Sequence, residues 1–228
     1  MTLFDRPSLT KTLQQGSDAL ALGLEATTVD RLIDYLALLS KWNAVYNLTA
    51  VRDPSQMVLQ HLLDSLAAWP AFRGVRHCLD VGAGGGLPGL VLAICAQQLQ
   101  PEMRIAMVDT VHKKTAFLTQ VKAELRLANV TVHTARVEQL RVATSFDVIT
   151  SRAFADLGNF VNWSSHLLAE DGQFIAMKGQ LPHEEIVALP PGWNVSEIRP
   201  LQVPGLQAER HLIFIRRGVE PRDTGCVT

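Results

Sequence analysis

A glycine-rich segment between a short apolar run and a helical stretch constrains the fold of this chain more than any other feature. Residues 79–89 read Leu-Asp-Val-Gly-Ala-Gly-Gly-Gly-Leu-Pro-Gly, with four glycines in the five positions 82–86. Glycine adopts positive φ without steric cost and places no Cβ against a ligand, but it loses more conformational entropy on folding than any other residue. A plain connection does not need so many glycines. The segment therefore predicts a strand-to-helix turn that faces a bound ligand.

Short apolar runs alternate with helical stretches around and after this turn. Strands are predicted at residues 78–81, 105–108, 130–133, 146–150, 172–177, 193–201 and 211–216, with helices up to about residue 98 and over 113–127 and 157–168. Such alternation builds a mostly parallel sheet with helices on both faces. Residues 202–210 are too few for a crossover helix, so the last two strands are predicted to be antiparallel. The expected fold is an α/β domain with a seven-stranded sheet and a binding site at the carboxyl ends of the strands.

The first 75 residues have helical rather than alternating periodicity. Thr28 is a candidate N-cap for the longest helix there. Apolar residues recur every three or four positions, as expected for buried helical faces: Leu32, Ile33, Leu36, Leu39 and Trp42, then Val58, Leu62, Leu63 and Leu66. The chain is therefore predicted to consist of a helical segment at residues 1–75, an α/β domain at 76–217 and a disordered tail at 218–228.

Composition and charge narrow the functional classes. The chain has 21 Lys and Arg against 22 Asp and Glu, and 47% of its residues are hydrophobic. This balance is typical of a compact folded protein and argues against nucleic-acid binding through bulk charge, but it permits a local basic patch. The three cysteines have no C-x-x-C spacing, so neither a disulfide framework nor a metal site is expected. The N-terminus lacks an apolar signal core, and no stretch approaches about 18 apolar residues, which predicts a cytoplasmic protein without a membrane span.

Two ligand classes compete for the glycine segment. The G-x-G-x-x-G at residues 84–89 matches the dinucleotide fingerprint, and Asp109 follows about 20 residues later at a strand end where it can bind a ribose. The D-x-G-x-G-x-G at residues 80–86 instead resembles the first motif of the S-adenosylmethionine methyltransferases. In the dinucleotide register, the negative charge of Asp80 lies near a pyrophosphate and repels it. Beside a cationic sulfonium, the same carboxylate has a more favourable electrostatic energy. A glycine directly after the strand also favours the methyltransferase register.

Several separated segments, in collinear order from about residue 20 to residue 217, together resemble one protein family. In chain order they are Asn47-Leu-Thr-Ala-Val-Arg52-Asp-Pro54, His61-x-x-Asp64-Ser65, the glycine segment through Leu87-Pro88-Gly89, Arg136-Val137-Glu138, Ser151-Arg152-Ala153-Phe154, Lys178-Gly179 and Glu209-Arg210-His211-Leu212. On these segments the chain resembles the RsmG (glucose-inhibited division protein B) family. One departure is the loop Gly-Ala-Gly-Gly-Gly, where many family members have Gly-Thr-Gly-Pro-Gly.

The resemblance implies a Rossmann-like class I methyltransferase with an N-terminal helical extension. It implies methyl transfer from S-adenosylmethionine to N7 of a guanine in small-subunit (16S) rRNA, with that RNA or the ribosomal subunit as partner. For the cofactor, contacts are predicted from Gly82, Gly84, Gly86, Leu87, Asp109, Val137, Glu138 and Arg152. For the reaction, the predicted residues are Arg152, Arg136 and Asn47. A local basic RNA-binding patch is also predicted. It includes the N-terminal helical segment and Asn47, Arg52, Arg136 and Lys178, with Lys113, Lys114 and Arg210 around the same rim.

Arg152 is the residue with the sharpest predicted role. It follows the fourth predicted strand at the carboxyl edge of the sheet, and it is expected to contact the cofactor or the guanine. The alternative is a structural ion pair with Asp147, Asp156 or Glu138. Guanine N7 carries a lone pair and has no proton to lose, so alignment of the substrate can do most of the work without a general base. An arginine at this place is compatible with such chemistry.

Two other functions stay open at the level of the sequence. The dinucleotide register corresponds to an NAD-type oxidoreductase. A noncatalytic RNA-binding factor of ribosome assembly could keep the same fold, because a fold does not determine a function. Binding of S-adenosylmethionine or of NAD discriminates the oxidoreductase from the methyltransferase, and mass spectrometry of rRNA from a deletion strain tests the noncatalytic alternative.

Overall fold

The structure is a computed structural model that describes residues 4–218, and it has the α/β fold that the sequence predicts. Seven strands form one sheet: β1 (His77–Val81), β2 (Arg104–Asp109), β3 (Val130–Thr134), β4 (Phe146–Arg152), β5 (Leu168–Lys178), β6 (Trp193–Pro200) and β7 (His211–Arg217). The predicted tail at residues 218–228 lies outside the described residues except for Gly218.

The strand order β3-β2-β1-β4-β5-β7-β6 places β1 in the middle of the sheet. Strands β1 to β5 are parallel, and β7 runs antiparallel to both β5 and β6, as predicted. The chain builds the sheet outward from β1 to β3 and then crosses back to add β4 on the other side of β1. Such a reversal opens a crevice at the carboxyl ends of the two strands that flank it. The ends of β1 and β4 are therefore the place to look for a ligand site.

Helices cover both faces of this sheet and precede it in the chain. The N-terminal part contains α1 (Arg6–Ala19), α2 (Ala26–Tyr46), α3 (Pro54–Met57), a π-helical segment (Val58–Leu63), α4 (Asp64–Ala67) and a 3₁₀ turn (Trp69–Phe72). The α/β part contains α5 (Gly89–Leu99), α6 (His112–Glu124), α7 (Leu157–Ser164) and α8 (His183–Val187), with 3₁₀ turns at Val137–Gln139 and Ser165–Leu167. Within residues 4–218, no helix has both the length and the apolar character needed to cross a bilayer.

Some predicted boundaries are wrong, including the ends of the helices predicted over 113–127 and 157–168, which the structure places at Glu124 and Ser164. Two further differences have a clear physical reason. Helix α2 begins at Ala26, and Thr28 is buried inside it instead of capping it. Strand β5 begins at Leu168, where a helix was predicted to end, because Leu168 pairs with Phe146 before the register of the two strands shifts. Residues 169–172 contain no large apolar side chain, so the apolar pattern that indicates a strand resumes only after residue 172.

Side chains alternate along each strand between two hydrophobic clusters, one on each face of the sheet. On one face, the predicted stripe of α2 packs with α5: Leu32, Ile33, Leu36 and Leu39 are fully buried, whereas Trp42 is only partly buried. On the other face, Phe160 of α7 packs edge to face on Phe174 of β5, with ring centroids 5.0 Å apart. Burying one large apolar side chain stabilises a fold by about 1.5–3 kcal/mol. The N-terminal helices thus form part of one of the two layers that hold the sheet.

Gly89→Ala is expected to destabilise the protein, because α5 begins directly against the sheet. A Cβ at Gly89 would lie 2.7 Å from Asp80 Oδ2 and 2.8 Å from Met107 Sδ, so the helix would have to move away from β1 and β2. Overpacking of this kind costs about 1–3 kcal/mol, and we expect the free energy of unfolding in urea to fall by that amount. Gly179→Ala is the control, because its Cβ would meet nothing closer than 3.9 Å. Equal stability of the two variants would show that α5 is not held this closely.

Candidate active site

The glycine segment forms a turn at the carboxyl end of β1, as predicted. Gly82, Gly84 and Gly86 have φ values of +68°, +54° and +88°, in the region that favours glycine. A Cβ on Gly82 would lie 2.4 Å from the ring of Phe154, in the loop after β4. The turn therefore requires glycine both for its backbone conformation and for the close approach of the neighbouring loop.

Two carboxylates and one phenol hold this turn in place through hydrogen bonds from the protein interior. Asp109, at the end of β2, accepts the Gly84 N–H at 3.0 Å with Oδ2 and the Val111 N–H at 2.8 Å with Oδ1. Asp80 Oδ2 accepts the Gly89 N–H at 2.8 Å, and the buried Tyr35 hydroxyl donates to Gly85 O at 2.7 Å. The orphan N–H groups of the turn and of the first turn of α5 thus find acceptors within the protein.

Asp80 is the more unusual of the two carboxylates. It is fully buried, and its Oδ1 has no hydrogen-bond partner among the residues that the structure describes. Burial disfavours the charged form and raises the pKa of Asp80 to about 7, although the Gly89 N–H and the Arg152 charge act in the opposite direction. Asp80 therefore ties the start of α5 to β1 and carries a partly protonated carboxyl at neutral pH.

A first cavity of about 440 Å³ opens beside the glycine turn. It brings together five of the predicted cofactor and reaction residues: Gly82, Asp109, Arg136, Val137 and Glu138. Its other lining residues include Lys114, Phe154 and Trp163. Three of the predicted cofactor residues lie elsewhere around the turn: Gly84 is half-buried, whereas Gly86 and Leu87 are buried in the core side of the turn. The cavity lies in the crevice that the strand order predicts.

Charged side chains of both signs surround the first cavity. Arg136 is mostly exposed and lies 3.5 Å from the half-buried carboxylate of Glu138, at the start of the 3₁₀ turn after β3. Lys114 Nζ lies 3.7 Å from Asp109 Oδ2 on the opposite side. Neither carboxylate has all its lone pairs engaged, since each carboxylate oxygen can accept two hydrogen bonds. The cavity can therefore accept hydroxyl or amine donors from a ligand.

A second cavity of about 460 Å³ adjoins the first, and Ala153 lines both. Its other lining residues are Gln60, His61, Asp64, Arg152, Met177, Lys178, Gly179 and Arg210. Ala153 itself has a φ of +55°, so the chain turns sharply where the two cavities meet. The site thus consists of two adjacent compartments, of which the second is the more basic.

Arg152 lines the second cavity and forms a structural ion pair, but not with any of the three acids proposed from the sequence. Its Nη1 donates to Asp64 Oδ2 at 3.0 Å and to Gln60 O at 2.9 Å. Asp147 instead accepts backbone N–H groups next to β1, Asp156 caps α7 and Glu138 pairs with Arg136. The Arg152 side chain is 22% exposed at the cavity wall, so a ligand in this cavity can still reach it. Its direct contact with the cofactor or the guanine stays a prediction.

Asp64 and His61 are site residues that the predicted set did not include. The side chain of Asp64 is only 2% exposed, and its Oδ1 accepts from Arg210 Nε at 2.7 Å. His61 lies near Arg152, with Nδ1 at 3.3 Å from Nη2, and its Nε2 lies 2.8 Å from Thr49 Oγ1. His61 and Asp64 are three residues apart in a helical stretch, so they lie on one face of it. This spacing of two polar residues on an otherwise apolar face is the sequence pattern that could have predicted them as site residues.

Only some of the remaining predicted RNA-binding residues line the two cavities. Lys178 lines the second cavity and pairs with Glu185 at 2.7 Å. Asn47 and Arg52 are exposed and hydrogen-bonded to each other at 2.9 Å, in a loop that meets the glycine turn through Leu48. Lys113 is exposed at the start of α6. These residues lie on the same edge of the sheet, but Asn47 and Arg52 line neither cavity.

Burial of Asp80 predicts a pH-dependent difference in stability between the protein and Asp80→Asn. Because the folded pKa is about 7 and the unfolded pKa about 4, the folded state binds more protons at this site between these pH values. The contribution of Asp80 to the free energy of unfolding is therefore lost as the pH rises, whereas Asn does not titrate. As the pH rises from 4 to 8, we expect the free energy of unfolding of Asp80→Asn to increase by about 2–4 kcal/mol relative to that of the unaltered protein.

Urea unfolding of both proteins at several pH values measures this difference. Other titrating groups cancel, since they are common to both proteins. Asp171→Asn, a change at an exposed carboxylate, is the control and should show a flat difference. A flat difference for Asp80→Asn as well would mean that the carboxylate has an ordinary pKa.

Known proteins resemble this chain over nearly its whole length. The family model for rRNA small subunit methyltransferase G matches residues 28–213. Proteins named ribosomal RNA small subunit methyltransferase G from Herminiimonas arsenicoxydans and Janthinobacterium sp. (strain Marseille) are 68% and 67% identical, each over 96% of this chain and 100% of the relative. The fold of this chain is similar to that of the O-methyltransferase TomG from Streptomyces achromogenes in complex with SAM. The TM-score is 0.53, with 15% identity over 80% of this chain and 89% of TomG. The chain belongs to the rRNA small subunit methyltransferase G family.

Proposed function

We propose that this protein transfers a methyl group from S-adenosylmethionine to N7 of a guanine in small-subunit rRNA. One observation carries the proposal: a cavity beside a positive-φ glycine turn adjoins a second, basic cavity at Ala153. Two adjoining compartments suit a reaction in which a group passes from one ligand to another. The names of the relatives, with identities up to 68%, support rRNA of the small subunit as the acceptor.

The first cavity fits S-adenosylmethionine. Gly82 has no Cβ, and Asp109 and Glu138 offer carboxylate oxygens with lone pairs left for hydroxyl groups or an amine. Val137 and Trp163 provide apolar surface for an adenine ring. When bound, this cofactor supplies a methyl group on a cationic sulfur. The role of the protein itself is to hold the acceptor atom near Ala153 and to exclude water from the reacting groups.

The second cavity favours an acceptor atom that has no proton to lose. Both oxygens of Asp64 are engaged by arginines, and Glu185 is paired with Lys178, so neither carboxylate is free to act as a general base. His61 is neutral at pH 7, because burial and the Arg152 charge lower its pKa to about 4, but its Nδ1 faces Arg152. Guanine N7 needs no base, whereas an exocyclic amine must lose a proton on methylation. The side chains of this cavity thus support N7.

The RNA-binding surface is proposed to extend from the second cavity to the N-terminal helical segment at residues 1–75. The loop with Asn47 and Arg52 meets the glycine turn through Leu48, whereas Arg136 and Lys178 of the α/β domain at residues 76–217 line the two cavities. A chain with a net charge of −1 needs such a local patch, because phosphate binding depends on clustered Lys and Arg. A cytoplasmic location is proposed with this substrate.

Loss of the gene is the direct test of the function. We expect mass spectrometry of 16S rRNA from a deletion strain to show one guanine without its N7-methyl group. The purified protein with S-adenosylmethionine should restore that group in subunits from the same strain. Unchanged rRNA would support the noncatalytic alternative, and calorimetric binding of NAD but not of S-adenosylmethionine would support the oxidoreductase.

Gly82→Ala tests the position of the cofactor. The added Cβ would lie 2.4 Å from Phe154 at the wall of the first cavity, so we expect affinity for S-adenosylmethionine in calorimetry to fall by at least about tenfold. Gly74→Ala is a matched control, because Gly74 also has positive φ (+80°) but nothing within 4 Å of its Cβ and no place in either cavity. It measures the backbone strain alone. Equal affinities of the two variants would place the cofactor elsewhere.

A further inference from the structure

One buried carboxylate holds two arginines at the wall of the second cavity. Asp64 receives Arg152 Nη1 on Oδ2 at 3.0 Å and Arg210 Nε on Oδ1 at 2.7 Å. The two guanidinium groups come from different strand ends, since Arg152 closes β4 and Arg210 directly precedes β7. A carboxylate with 2% exposure would be strongly destabilising without such partners. Asp64 therefore fixes the relative position of the two arginines.

The π-helical segment before Asp64 provides further fixed contacts. In a regular α-helix the Asp64 N–H would bind Gln60 O, but here it binds Leu59 O and His61 O. Gln60 O is thus available to accept from Arg152 Nη1 at 2.9 Å. Neutral His61 adds an acceptor, with Nδ1 at 3.3 Å from Arg152 Nη2. Single π-helical turns inside α-helices are frequent at functional sites.

The cluster of Asp64, Arg152 and Arg210 carries one positive charge in excess, and its guanidinium groups keep donors without an acceptor among residues 4–218. Two guanidinium groups face a single carboxylate, whereas the neighbouring Lys178 is balanced by Glu185 at 2.7 Å. Arg210 donates through Nε and through Nη1, which binds Glu209 O. Its Nη2 has no acceptor among residues 4–218, although Arg210 lines the cavity and its side chain is only 24% exposed. An anion in the cavity would use both the charge and the donor.

We propose that the second cavity binds the phosphodiester group of the target nucleotide through Arg210 and Arg152, and that Asp64 is the positioning residue for both. This rests on the proposed function. A phosphodiester carries a full negative charge, which suits paired guanidinium groups. The base is a poorer partner, because guanine is neutral before N7 methylation and cationic after it, so an excess positive charge beside it would oppose the reaction. Since the cavities meet at Ala153, next to Arg152, a nucleotide held by its phosphate in the second cavity can place its base at this junction, beside the cofactor in the first cavity.

Calorimetry with 5′-GMP and guanosine, in the presence of S-adenosylhomocysteine, tests the phosphate contact without any methyl transfer. We expect GMP to bind at least about tenfold more tightly than guanosine. Arg210→Gln should remove this difference and leave the affinity for guanosine unchanged. Equal binding of the two ligands by the unaltered protein, or no binding of either, would overturn the proposal.

The positioning role of Asp64 is tested by methyl transfer to small subunits that lack the modification. In Asp64→Asn we expect KM for the subunit to rise by at least about tenfold, while kcat changes by less than about threefold. The affinity for S-adenosylmethionine should stay the same. Asp34→Asn is the matched control, because Asp34, on α2, makes an exposed ion pair with Arg6 of α1 and does not line the second cavity. A lower kcat with unchanged KM would overturn the positioning role.

Folding and function can be separated in these measurements. If Asp64→Asn does not fold, Arg210→Gln leaves Asp64 paired with Arg152 and supplies the same KM measurement. If the unaltered protein methylates no RNA but discriminates GMP from guanosine, the proposed function fails and the phosphate site stands. If it methylates RNA without that discrimination, the phosphate site fails and the function stands.

Discussion

The ion-paired Asp64 carboxylate connects three parts of the chain that are distant in sequence. It lies 88 residues from Arg152 and 146 residues from Arg210, and it brings the N-terminal helical part against the ends of β4 and β7. A buried charge pair contributes little net stability compared with apolar packing, but a single unpaired partner is strongly destabilising. The three side chains must therefore be present together. Their arrangement determines the wall of the second cavity and the direction of the guanidinium groups that line it.

The first cavity depends on a different constraint, the backbone of the glycine turn. Its positive φ values turn N–H groups towards the protein, and Asp109, Asp80 and Tyr35 satisfy the polar groups of the turn. The three atoms nearest to a Cβ built on Gly82 all belong to Phe154, so this side chain closes the turn on its outer side. Burial of Asp80 is the energetic cost of the arrangement, since one of its oxygens has no partner among the described residues. Local strain and burial of this kind concentrate where a ligand must approach the backbone closely.

The strands and the glycine turn were predictable from sequence because their signals are local. Apolar runs, glycine positions and short connections determine the seven strands and the antiparallel end of the sheet. The start of β5 was missed because residues 169–172 (Ala-Glu-Asp-Gly) contain no large apolar side chain and lie where the pairing with β4 is irregular. The partner of Arg152 was missed because it depends on tertiary structure. Asp147 and Asp156 lie close in sequence, but the fold uses both to bind backbone N–H groups.

The two cavities divide the work of binding by charge. In the first, the carboxylates of Asp109 and Glu138 are balanced by Lys114 and Arg136. In the second, Arg152 and Arg210 share the single carboxylate of Asp64, which leaves one positive charge in excess. A chain with a net charge of −1 has no long-range field to attract RNA, so recognition must come from a few fixed donors at short range. Fixed donors cost less entropy on binding than mobile surface lysines. Under the proposed phosphate contact, this gives the buried Asp64 carboxylate a physical role, because it orients the two arginines before a ligand binds.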